Sequence, residues 1–200
     1  EQRFETAVDY LATARKEKSI NDEKVQAWEA AAFYGTFNNI ILTQDQSNLQ
    51  TYWKSLSRKV KQREEVLFAY CQVLAEQSIT EPLSKLIAPM LKKQPNAHFL
   101  KRLRTLPIKQ GESLIAIAQK HLHGDNKNAQ WLSCLGHLAV VSEQWSMAEK
   151  AFRTLVNLEV NQTEKQYDKE DLLALAKALT EEGQYQAANE VWVKVNEFTA

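Results

Sequence analysis

The sequence predicts an all-α fold, a right-handed superhelix of antiparallel helical hairpins, and three observations carry that prediction. Its 200 residues hold only five Gly and four Pro, too few for the closely spaced turns of an all-β chain. Apolar residues recur at helical spacing, and no stretch alternates apolar with polar long enough to compete. Near the C-terminus one pattern is written twice. The first copy is Leu132, Leu135, Gly136, Trp145, Ala148, Phe152 and Leu155; the second is Leu172, Leu175, Ala176, Gly183, Tyr185, Ala188, Trp192 and Val195. Each gives an apolar face on one helix, a turn with an aromatic, then a small residue and a large aromatic four apart on the next helix. Such a unit cannot bury its apolar face alone and stacks on its neighbours.

Taken in order, Arg3 to about Lys16 carries Phe4, Ala7, Val8, Leu11 and Ala14 on one stripe, as an amphipathic helix requires. Ser19 to Asp22 reads as a connector and N-cap. A long helix is expected from Glu23 to about Thr43, with Val25, Trp28, Ala31, Ala32, Tyr34, Phe37 and Ile41 inward. Ser47 is placed to cap a helix through Leu49, Tyr52, Trp53, Leu56 and Val60, which ends in Arg58, Lys59, Lys61 and Arg63. Glu64 to Gln77 follows, buried through Val66, Leu67, Tyr70, Leu74 and Ala75. Thr80 to Leu83 restarts a helix with Pro82 in its first turn, where a missing N–H costs nothing. Pro89 is expected to kink or break that helix, and Pro95 to stop the unit. His98 to Leu106 and Glu112 to Leu122 form a hairpin, and Gly124 to Asn128 is the turn into the first clear repeat.

These spacings are those of tetratricopeptide repeats, whose period is about 34 residues. Ala148 and Ala188 are 40 apart, and the surplus falls in a polar loop at Asn161 to Tyr167. The reading is a single repeat domain over 1–200, with about four hairpins plus a leading helix and the clearest repeats near 128–160 and 168–198.

Lys plus Arg equals Asp plus Glu at 25 each, so no global basic field exists to hold nucleic acid. Cys71 and Cys134 each sit inside apolar helical pattern and read as core thiols. No run of 18 apolar residues occurs, so no membrane span or signal peptide is expected here. The chain opens inside helical pattern at Glu1 and Gln2 without Met, which predicts a piece of a longer protein.

The run Tyr52-Trp53-Lys54-Ser55-Leu56-Ser57-Arg58-Lys59-Val60, followed by Ala69-Tyr70 and Leu74, carries a more specific likeness. With Glu29-Ala30-Ala31-Ala32-Phe33-Tyr34 and the later Leu135-Gly136, Trp145, Ala148 and Phe152, it resembles the HemY family, inner-membrane tetratricopeptide proteins associated with haem synthesis in Gram-negative bacteria. Ser57 stands where that family has proline. The resemblance implies the C-terminal part of a protein tethered by two N-terminal transmembrane helices, with this part on the cytoplasmic face. It also implies support of a late step of protohaem IX formation, as a scaffold for haem-synthesis enzymes. The chain has no Gly-rich dinucleotide motif, so flavoprotein oxidase activity is not implied.

No local signature arranges Ser, His and Asp for catalysis, so a non-enzymatic interaction module with no cofactor is expected. In such a stack the first helix of each hairpin lines the groove. Groove positions are then Gln130, Ser133, His137 and Val141, next Leu173, Lys177 and Glu181, and in an earlier repeat Gln72 and Glu76. Their mixed charge suits a peptide or partner helix with polar and apolar contacts rather than a strongly acidic tail. The alternative is a haem or porphyrin carrier using His121, His123, His137 and Cys134, since iron takes such ligands, although Cys134 also reads as core. The basic residues Arg58, Lys59, Lys61, Arg63, Lys101, Arg102 and Arg104 suit either anionic lipid or solvated helix ends.

Overall fold

The computed structural model describes residues 4–15, 20–93, 95–109, 111–158 and 165–198, and among these the regular structure is helical with no strand. The chain folds as two compact units, Glu1–Gln77 and Ser78–Ala200.

The first unit holds α1 (Phe4–Ala14), α2 (Asp22–Thr43), α3 (Gln46–Ser55), α4 (Arg58–Lys61) and α5 (Glu64–Glu76). The expected helix ends Arg3 and Lys16, and Ser19, lie outside the described residues. Asn21 caps α2 by accepting from the Glu23 N–H at 2.8 Å. α2 packs against α1 on one side and α5 on the other. Its buried residues are Val25, Glu29, Ala32, Phe33, Gly35, Thr36, Phe37 and Ile40. The inward face is therefore rotated from the expected one: Trp28 is half exposed and Glu29 is fully buried. A carboxylate can occupy that place because Arg15 and Arg63 each donate to a different oxygen of Glu29, Arg63 at 2.6 Å. Phe37 meets Tyr52, Trp53 and Tyr70 edge-on, and Trp53 stacks on Tyr70 at 4.1 Å.

Two local expectations change here. Asp45, not Ser47, caps α3, accepting from the Asn48 N–H at 2.7 Å. The single helix read through Val60 is broken, because Leu56 and Ser57 are extended and the Ser57 hydroxyl caps α4 at the Val60 N–H. A capping side chain offers the backbone an alternative to continuing the helix.

The second unit holds α6 (Thr80–Lys92), α7 (Ala97–Leu103), α8 (Glu112–Gly124), α9 (Ala129–Val141), α10 (Trp145–Asn157), α11 (Lys169–Glu181) and α12 (Tyr185–Glu197). α6 runs past Pro89 to Lys92 without the expected break; the proline removes the one helical hydrogen bond its own N–H would make, and the helix ends three residues later. From α8 onward each helix packs on the next, and α9 also packs on α11. That order is a stack of antiparallel hairpins in which first helices meet first helices. Gly136 on α9 leaves room for Phe152 of α10, for a Cβ there would lie 2.5 Å from the Phe152 ring. Gly183, at φ +73°, turns the chain between α11 and α12. Of the surplus loop, residues 161–164 lie outside the described set.

Two aromatics expected in the core are not there. Phe152 is 0% exposed, whereas its counterpart Trp192 is 43% exposed, and Tyr185 is exposed as well. α10 is covered by α11, while α12 has no described helix packed on its outer side.

Candidate functional site

Three helices of the second unit, α7, α9 and α11, share one face, with α9 packed between the other two. Asn96 and Asn128 start α7 and α9 by accepting from the Phe99 and Trp131 N–H groups. α11 starts with a capping box. The Asp168 carboxylate accepts from the Asp171 N–H at 3.2 Å, and the Asp171 carboxylate accepts from the Asp168 N–H at 3.0 Å. Both carboxylates keep capacity for further partners, and Arg104 takes it.

Arg104, just past α7, is 8% exposed at its side chain. It donates to Asp168, to Asp171 Oδ1 at 3.2 Å and to Ser133 Oγ at 3.2 Å. The Ser133 hydroxyl donates to Asp171 Oδ1 at 2.5 Å, and His137 Nε2 lies 3.0 Å from the same oxygen. Lys101 stands 3.7 Å from Asp168. Burial pushes the Asp168 carboxyl upward, but the Arg104 hydrogen bond and charge, the Asp171 backbone N–H and Lys101 outweigh it and hold it below the usual aspartate value. Among the described residues no buried side-chain nitrogen or oxygen lacks a partner, so the network is complete as it stands.

Ser, His and Asp thus meet, but not in the order that activates a nucleophile. Ser133 and His137 both bind the carboxylate, and the hydroxyl donates to Asp171 instead of to the imidazole. What the knot does is fix the floor of a groove of about 250 Å³ between the three helices. Lys101, Gln130, Lys165 and Gln166 stand exposed around it. The Lys165 ammonium lies 4.4 Å from the centre of the Phe198 ring.

The positions expected to line a groove are dispersed. Gln130 is exposed at its edge, but Ser133 is buried and His137 half-buried, both turned into the Asp171 network. Val141 and Leu173 are half-buried, and Lys177 and Glu181 are exposed. The Lys177 ammonium lies 5.5 Å from the centre of the Trp145 ring. Gln72 and Glu76 belong to α5 of the first unit, exposed and hydrogen-bonded to each other at 2.9 Å, with the Tyr34 hydroxyl donating to Glu76.

The haem ligands considered from sequence do not gather. The His121 ring stacks on Trp131 at 4.1 Å with Nε2 at 2.9 Å from the Leu91 carbonyl, while His123 is exposed and His137 is held by Asp171. Cys134 is buried, and burial pushes its thiol up to about 12, against the pull of Arg104. Among the described residues no three His, Cys, Asp or Glu side chains are grouped to hold a metal ion.

Sequence reasoning missed Arg104, Asp168 and Asp171. The signal was the spacing Asp168-x-x-Asp171 ahead of an apolar run, which marks a capped helix start. Arg104 stands in a run of cations that suits a surface, yet its side chain is buried, and the partly exposed Arg63 also reaches inward to Glu29.

Among the described residues no helix is long and apolar enough to cross a membrane. No protein-family profile matches the chain, and no curated protein matches it in sequence. Among solved structures, MamA 41-end from Desulfovibrio magneticus RS-1 is similar at a TM-score of 0.42 and 16% identity, over 86% of this chain and 95% of that one.

Proposed function

We propose that this chain is a non-enzymatic interaction module that holds a segment of a protein partner on the α7/α9/α11 face. The observation that carries the reading is the buried Arg104 network, which ties three successive first helices together beneath an open, polar-rimmed groove. A surface fixed in this way binds without first paying for its own ordering. Following the resemblance to HemY, the partner is an enzyme of late protohaem synthesis, and the full-length protein is tethered to the inner membrane with this part on the cytoplasmic side.

A photo-crosslinking residue placed at Lys101 or Gln166, both on the rim of this groove alone, is expected to give a discrete protein adduct in membranes, and one at Glu190 on α12 none. Equal adducts from both faces would contradict the groove, and an adduct unrelated to haem synthesis would contradict the narrower role. Haemin titration followed at the Soret band tests the carrier alternative. A saturable shift lost on joint replacement of His121, His123 and His137 would favour that alternative, and no shift would favour protein capture.

A further inference from the structure

A second, larger groove of about 1080 Å³ opens between the end of α6, the outer side of α8 and the start of α9. Among the described residues it shares with the first only Gln130, which borders both. One wall is apolar: Pro95 and Ile117 are half-buried, and the Trp131 ring is fixed by the parallel His121 ring at 4.1 Å. His121 is itself pinned, since the Leu91 carbonyl can only accept and so holds a proton on Nε2. The wall is therefore rigid without any ligand.

The charge on the rim is net positive, two lysines against one aspartate. Lys92 and Lys120 are exposed, and neither is in an ion pair among the described residues. The acid at this groove, Asp125, is turned onto its own turn, accepting from the Lys127 N–H and the Asn128 side-chain amide at 3.3 Å each. Two cations outside any ion pair among the described residues, against one acid that is turned onto its own loop, thus flank an apolar wall in a space larger than most single small-ligand sites fill.

We infer that this groove docks an extended segment of a protein partner carrying at least two carboxylates beside a bulky apolar side chain. The carboxylates pair with Lys92 and Lys120, and the apolar side chain lies against Ile117 and Trp131. Complementary charge of this kind sets partner choice and association rate more than it sets raw affinity. The site is separate from the α7/α9/α11 face and stands whether or not that face binds.

The test is selection of random 12-residue peptides displayed on phage against the whole chain. Recovered sequences are expected to combine two or more Asp or Glu with a bulky apolar residue. A synthetic peptide from that pool should lose at least tenfold in affinity for Lys92→Glu/Lys120→Glu and keep its affinity for Lys101→Glu, which alters only the other face. Both lysines are exposed, so the double variant should retain the wild-type circular dichroism. Selection against that variant should then yield basic peptides. Recovery without an acidic excess, acidic peptides indifferent to the double reversal, or no recovery overturns the inference. Peptides weakened only by Lys101→Glu would overturn it while supporting the other face. Glutarate displacing the peptide at equal affinity would assign the groove to a free dicarboxylate and also overturn it.

Discussion

Arg104 donates to Asp171, 67 residues along the chain, at 3.2 Å, and the two side chains are only 8% and 3% exposed. Between them lies α9, whose Ser133 touches both. One guanidinium thereby joins the end of α7, the middle of α9 and the capping box of α11. Isolated exposed ion pairs contribute little to stability, but a buried pair is costly to break from one side, because the partner charge stays behind. Arg104→Ala leaves Asp168 and Asp171 facing each other, and a loss of about 3 kcal/mol is expected in urea unfolding. A change below about 1 kcal/mol would show that the network contributes little.

Gly136 and Phe152 set how closely α9 approaches α10. A methyl at position 136 would overlap the ring at 2.5 Å, and that ring is fully buried. Gly136→Ala is expected to destabilise by about 1–3 kcal/mol despite the better helix propensity of alanine. Adding Phe152→Leu should recover part of that loss in a double-mutant cycle. Strict additivity would contradict the contact.

In the first unit Glu29→Ala strands the Arg15 and Arg63 guanidinium groups without the carboxylate that both use. Only Glu29 is fully buried; the arginine side chains, 34% and 28% exposed, can turn to water, so a cost of about 1–3 kcal/mol is expected from the lost charged hydrogen bonds. Cys71 supplies the readout, since it is buried and burial pushes its thiol up to about 12. The native chain should resist thiol labelling at pH 8, and Glu29→Ala should label at Cys71 many times faster.

Asp168 gives a pH signature. Its folded value lies below the ordinary 3.8, so its contribution is present above the unfolded value and is lost as pH falls through the folded one. Asp168→Asn should therefore lower the melting temperature at pH 7, and the gap from wild type should close as pH falls below about 4. A gap that widens on acidification would reverse the assigned direction.

Where the hydrophobic period was strong, sequence and structure agree. The expected Glu23 to Thr43 helix is α2, and both C-terminal repeats fold as paired helices with Gly136 under Phe152. Periodicity reports an apolar stripe, and these segments have one. It does not report a charge that is buried because its partners arrive from distant segments. Glu29 and Arg104 were invisible for that reason, and Trp28 was assigned inward because apolarity was the sole guide. Ser133 and His137 occupy the expected helix but turn into the floor of the groove, since Asp171 draws them there. The exposure of Trp192 has another cause: repeat consensus places an aromatic at that position, but burial also needs a following helix to cover it.

Hydrogen exchange on Arg104→Lys asks whether Arg104 keeps the α7/α9/α11 face assembled. Lysine retains the charge and loses the fork that reaches two carboxylates and a hydroxyl at once. Faster exchange is expected in α7 and the first turn of α11, with the α12 amides unchanged. Unchanged protection in α7 and α11, or a uniform loss reaching α12, would contradict it.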